Sequence, residues 1–236
     1  MAPYTAPLQD MRFVLRDVAD FDEVAGLPGY EEATPDLVDA VLEEAARIAA
    51  EVLSPLNLPG DRQGSTLENG VVRTPDGFKD AYQKFIDGGW NSLPFNPEYG
   101  GQGLPKLLAT AVGEMWNAAN TSFSLCPMLT WGAIDAIEHH GTEAQKTLYL
   151  AKLVSGEWTG TMNLTEPQAG TDVGALRAKA VKEGDHYRVT GQKIFITFGD
   201  QDYTDNIIHL VLARTEGAPA GVKGISLINV PNFLVN

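Results

Sequence analysis

Apolar residues recur at helical spacing through the first two thirds of the chain. Thr34-Pro35 supplies an N-cap followed by proline at the first helical position. Leu37, Val41, Ala45, Ile48 and Val52 then share a face, with Glu43, Glu44, Arg47 and Glu51 mostly off it, and Pro55 predicts the stop. Thr74-Pro75 repeats the start signal ahead of Phe78, Ala81, Tyr82, Phe85 and Ile86, and Gly88-Gly89 marks the end. Leu107, Leu108, Ala111, Val112, Met115, Trp116 and Ala119 form a third stripe. Residues 127–140 read as a fourth helix stopped by Gly141. Thr142 and Gln145 make a capping box for a fifth, which ends near Gly156.

The period changes after Trp158. Short segments rich in β-branched residues occupy 159–164, 175–182, 186–190, 193–197, 206–213 and 224–230, with Gly184-Asp185 as a hairpin turn. Such regular short strands predict an antiparallel sandwich or barrel. The expected fold class is therefore α+β: an N-terminal extension over 1–33, an all-helical domain over 34–157 and a β-domain over 158–236. Pro3, Pro7 and Pro28 interrupt the extension, and Met11 to Leu15 fits a helical turn or a short strand equally well. The final segment, GISLINVPNFLVN, is apolar and has no closing partner, so the β-domain reads as incomplete.

Composition narrows the function classes. The 236 residues are 44% hydrophobic and 20% charged, which suits a globular core. Seventeen basic against 31 acidic residues give a net charge of −14. That balance disfavours binding to nucleic acid or to anionic membranes. No run approaches the roughly 18 apolar residues of a membrane helix. The first residues lack the apolar core of a secretory signal, and the one cysteine, Cys126, fits a reducing compartment. The expected location is cytoplasmic.

Common catalytic signatures are missing, among them the phosphate-binding and dinucleotide-binding glycine loops, G-x-S-x-G, H-E-x-x-H and C-x-x-C. His139-His140 stands at a helix end, where adjacent side chains diverge and a cation suits the C-terminal dipole; no metal site is expected. Cys126 has no neighbouring base in sequence and reads as inert. Two segments carry candidate chemistry. Thr161 to Asp172, TMNLTEPQAGTD, runs from a strand into a turn whose amides and hydroxyls suit the polar edge of a ring or an anion. Gly191 to Gly199, GQKIFITFG, would place Phe195 and Thr197 on one strand face, an aromatic beside a hydroxyl.

The order helices, then TMNLTEPQAGTD, then GQKIFIT resembles the acyl-CoA dehydrogenase family, whose middle β-domain carries T-E-P-x-A-G-[ST]-D followed by G-x-K-x-[WF]-I-[TS]. Asn96 to Gly103, NPEYGGQG, is similar to that family's P-E-x-Y-G-G-x-G turn between helices. The N-terminal extension and the end segments resemble the larger-subunit branch, which includes methylthiopropionyl-CoA dehydrogenases. The resemblance implies FAD as cofactor and α,β-dehydrogenation of an acyl-CoA thioester, with hydride passing to flavin N5. It implies that Met162, Leu164 and Thr165 border the flavin, and that Phe195 packs on it where the family usually has tryptophan. Thr197 would approach N5, and Thr171 would contact the acyl-CoA.

The family's catalytic glutamate lies in a C-terminal helical domain with no match here. No catalytic residue is therefore assigned, and the 236 residues alone are expected to be inactive. Trp90, Met128 and Trp131 could line the acyl pocket. The resemblance further implies an electron-transferring flavoprotein as electron acceptor and a homo-oligomer at full length. Alternatives are a non-catalytic flavin- or acyl-CoA-binding relative of the same fold, and a flavin oxidase of the same superfamily. DNA-binding relatives fit poorly with −14 and no basic cluster.

Overall fold

A computed structural model describes residues 4–235. Pro3 and the final Asn236 lie outside them. The ambiguous stretch near the N-terminus is helical. Helix α1 (Leu8–Phe13) runs into one wide turn at Val14–Val18, and α2 (Phe21–Ala25) follows. Arg12 ties this extension to the next helix through Asp39 (2.6 Å) and Glu43 (2.7 Å).

Helix α3 (Pro35–Ile48) begins as its cap predicts, with Leu37 N–H donating to the Thr34 hydroxyl at 3.3 Å. Its buried line is Val38, Leu42, Ala45 and Ile48: the last two belong to the expected stripe, while in its first half the line runs one position on and Leu37 and Val41 flank it half-buried. Pro55 does not stop the helix. The turn Ala49–Leu53 is wide, with Ser54 N–H reaching back to Ala49, and α4 (Ser54–Gln63) continues. A proline in the middle of a regular helix collides with the carbonyl four residues back. The widened turn moves that carbonyl away and places Pro55 in the first turn of α4.

A hairpin that the strand reading above lacks comes next. β1 (Thr66–Glu68) pairs with β2 (Val71–Arg73) across Asn69-Gly70, both at positive φ (54° and 79°). Asn-Gly is the preferred pair for such a turn. Helix α5 (Phe78–Asp87) starts after Gly77 and not at Pro75, because the Thr74 hydroxyl is engaged with Asp202 at 2.6 Å. The third and fourth expected helices are two halves of α6 (Lys106–His140), broken at Asn120. The Asn120 side chain accepts from Phe123 N–H at 3.1 Å and so caps the second half, which starts well before 127 and contains Pro127. Helix α7 (Glu143–Ser155) has the expected capping box, and Gly156 ends it at φ 79°.

Tyr82, Phe85, Leu108, Met115 and Phe123 fill the main helical core, where Trp116 meets Phe85 and Trp90 edge-on at 5.6 and 5.2 Å. A second cluster with Ile134, Leu150, Trp158 and Ile208 joins the helices to the sheet. The contact is close at Gly160. Its N–H donates to the Thr130 hydroxyl at 3.1 Å, and a Cβ there would stand 2.4 Å from that of Ala133.

The sheet departs from the antiparallel expectation: it is mixed. β6 (Ile207–Thr215) is its centre. It runs parallel to β3 (Thr159–Asn163), with Thr159 opposite Ile207, and parallel to β4 (Lys179–Glu183), with Lys179 opposite Arg214. β7 (Ser226–Pro231) is antiparallel to β6, and β5 (His186–Thr190) is antiparallel to β4 across Gly184-Asp185. Parallel neighbours need a long crossover, and here residues 164–206 supply it with loops and the β4–β5 hairpin instead of a helix. The predicted strand 193–197 is absent, as is the first part of 175–182, where Val173–Ala175 forms a short 3-10 turn.

Candidate cofactor-binding site

β3 delivers the chain to a turn built round one buried carboxylate. Glu166 is 3% exposed. Its Oε2 accepts from Arg177 N–H and Gln168 Nε2, both at 2.6 Å, and its Oε1 from Ala178 N–H and Lys193 Nζ, both at 2.9 Å. Burial pushes the carboxyl pKa up, but these donors outweigh it and hold the group down at about 2. Lys193 also donates to Leu164 O (3.0 Å) and Leu212 O (2.8 Å), so one ammonium joins the end of β3, the Glu166 turn and β6. Arg214 closes the far side of the turn on the carbonyls of Gly174, Leu176 and Pro219. Both residues stand in the two motifs, Glu166 in TMNLTEPQAGTD and Lys193 in GQKIFIT, and neither is among the expected site residues. They are 27 residues apart, and only chain closure brings them together.

Loop 192–199 lies beside the end of β3. Ile194 N–H donates to Thr165 O at 3.0 Å, and the Thr161 hydroxyl to Thr197 O at 2.7 Å. The loop therefore joins Met162, Leu164 and Thr165 to Phe195 and Thr197. The expected strand face is corrected: Phe195 and Phe198 sit at positive φ (56° and 48°), so alternation does not align Phe195 with Thr197. A bulky residue in that region costs about 1–2 kcal/mol, and such outliers gather at functional sites. Phe195 is 90% exposed, Met162 is 40% exposed, and Leu164 and Thr165 are half-buried. Thr171 is exposed on the turn beyond Glu166; among the described residues no hydrogen bond links it to the other five.

Thr197 also forms part of the wall of a cleft of about 750 Å³ between α4, the second half of α6 and the loop ending at Tyr203. Asn57, Asp61, Thr121 and Leu125 line its helical side. The loop is pinned there. Asp202 accepts from Thr74 N–H (3.2 Å) as well as its hydroxyl, and Tyr203 stacks on Tyr82 at 5.0 Å. Trp90 is core, while Trp131 donates to Asn91 at 3.2 Å and Met128 is 48% exposed. Cys126 is fully enclosed, and burial pushes its thiol up, in keeping with an inert role. His139 does not pair with His140: its Nδ1 lies 2.8 Å from Asp135 O at the end of α6.

Among the described residues the Thr165 and Thr197 hydroxyls have no hydrogen-bond partner, although the backbone oxygens of both residues are engaged. Free hydroxyls and a bare aromatic ring on two joined segments fit a flat heterocycle with a polar rim, and the residues present thus fit a flavin.

A helical bundle set against a small mixed sheet, with this loop at the end of β3, is the scaffold the chain presents. The chain belongs to the acyl-CoA dehydrogenase family. Residues 38–157 match its N-terminal domain and residues 161–234 its middle domain. It is 50% identical to the 3-methylmercaptopropionyl-CoA dehydrogenase of Ruegeria pomeroyi, over 98% of this chain and 40% of that protein. It is 36% identical to a butyryl-CoA dehydrogenase of Syntrophomonas wolfei, over 99% of this chain and 39% of the relative. The acyl-CoA dehydrogenase structure from Geobacillus kaustophilus superimposes with a TM-score of 0.69 at 26% identity, covering 84% of this chain and 49% of the other. The chain thus spans about 40% of the length of the curated relatives it matches. No described helix is long and apolar enough to cross a membrane.

Proposed function

We propose that the chain forms the FAD-binding and part of the acyl-CoA-binding surface of a flavin-dependent acyl-CoA dehydrogenase. The observation that carries this is the pairing of the segment holding Phe195 and Thr197 with the end of β3, with the Thr165 and Thr197 hydroxyls free and the Phe195 ring bare. Bound FAD would supply the two-electron acceptor for α,β-dehydrogenation of an acyl-CoA thioester. Thr165, with Met162 and Leu164, would hold one polar edge of the ring, where a fixed donor favours the negative charge that reduction brings. Phe195 would cover a face without the donor that an indole adds. The Thr197 hydroxyl would approach the ring near N5, and Thr171 would bind the acyl-CoA. Proton abstraction is assigned to no residue of this chain, and the 236 residues alone are expected not to turn over acyl-CoA.

The 50% identity to a 3-methylmercaptopropionyl-CoA dehydrogenase makes a short acyl-CoA the first substrate to try with a longer form. An electron-transferring flavoprotein as acceptor, a homo-oligomer, a cytoplasmic location and the division at 33/34 and 157/158 belong to the same proposal. The test is the visible absorption of the purified chain after incubation with excess FAD and removal of free cofactor. Retained flavin absorbance that falls in Thr165→Val and Thr197→Val supports the reading. No retention, or retention indifferent to both substitutions, goes against it.

A further inference from the structure

Phe195 and Phe198 hold loop 194–198 in a backbone shape that phenylalanine does not choose. Such a shape persists only where neighbouring contacts over-determine it. Phe198 packs on Tyr203 at 5.7 Å, while Phe195 is bare. Ile194 N–H reaches Thr165 and Thr197 O reaches Thr161, and Ile194 follows Lys193, whose ammonium makes three long-range polar contacts. The Lys193 side chain is 10% exposed and that of Glu166 3%. The other long-range bonds of the pair lead to Leu164 just after β3, to Arg177 and Ala178 ahead of β4, and to Leu212 in β6.

We propose that Lys193 and Glu166 are positioning residues, and that their buried ion pair holds loop 194–198 in the strained shape that sets Phe195 and Thr197 beside Thr165. The assignment of that loop to flavin binding rests on the function proposed above; the clasp itself rests on geometry alone. Neither side chain needs to touch a ligand. A charge-assisted pair with each remaining oxygen and proton satisfied is directional, which an apolar contact is not. Loss of either partner leaves the other buried and unpaired, so the clasp fails as a unit.

Hydrogen–deuterium exchange on the 236-residue chain tests this directly in wild type, Lys193→Met and Glu166→Gln. The second variant keeps the carboxyl's shape, should the first fold poorly. The expected result is exchange at Ile194 and through 192–199 faster by at least about tenfold, with α3 and α6 unchanged. Unchanged exchange in that loop would overturn the proposal, and so would an equal rise across the helices, since the pair would then serve the fold at large. Flavin absorbance is the second readout. If wild type retains FAD, both variants should retain less and shift the spectrum of what stays bound; retention unaltered beside a loosened loop severs the clasp from binding. If wild type retains none, the flavin reading fails and the exchange result still decides the clasp.

Discussion

Around Phe85 the chain is held by rings in contact. Around Glu166 it is held by one carboxylate, one ammonium and the amides of a turn. Phe85 is fully buried, with Trp116 at 5.6 Å and Phe123 at 5.8 Å, and nothing there depends on direction. Glu166 is nearly as buried, yet its value lies in four donors aimed at two oxygens. The first kind of packing tolerates reshaping at constant volume. The second fixes a turn through directed bonds and fails if one partner is lost. The molecule uses the first to stand and the second to shape the cradle.

The largest effect is expected in the apolar core. Phe85→Ala should cost about 3–5 kcal/mol, read as a lower urea midpoint for the whole chain. A loss confined to the sheet part would show that the two regions unfold separately. Gly160→Ala is next. Its methyl group meets Ala133 where α6 packs on β3, and about 1–3 kcal/mol of stability should go, with a lower Tm.

Acid sharpens the polar end. Glu166 titrates at about 2 in the fold against an ordinary 4.5, so its contribution is complete above 4.5 and lost as pH falls through about 2. Urea midpoints of wild type should therefore drop between pH 4.5 and 2 more steeply than those of Glu166→Gln. The smallest effect is a gain. Phe195→Asn puts a residue that accepts positive φ at a strained, exposed site and should add up to about 1 kcal/mol. The same variant should retain less FAD. Higher stability without weaker retention would separate the strain from the site.

Local chemistry was legible and closure was not. Thr34 and the Thr142–Gln145 box act as caps because a cap is decided within four residues. Pro55 misleads, since the wide turn that admits it leaves no mark in the stripe of apolar positions. Asn120 and Asn69-Gly70 are local signals that a reading fixed on longer periods passes over. Ile194-Phe195-Ile196-Thr197 has the composition of a strand but no neighbour to pair with, and side-chain anchors bend it into a loop. The parallel register of β3 with β6 joins residues 48 positions apart, as Thr159 with Ile207, and no propensity encodes that. The cradle residues came from resemblance to a family; their adjacency is a property of the fold.

That same register orders events in time. β3, the Glu166 turn and Lys193 all leave the ribosome before Leu212, whose carbonyl Lys193 must reach. The helices can collapse on their own apolar stripes while the sheet waits for its central strand. Contacts between residues distant in sequence form late. The cradle therefore closes only after β6 is made, later than the local contacts of the helices.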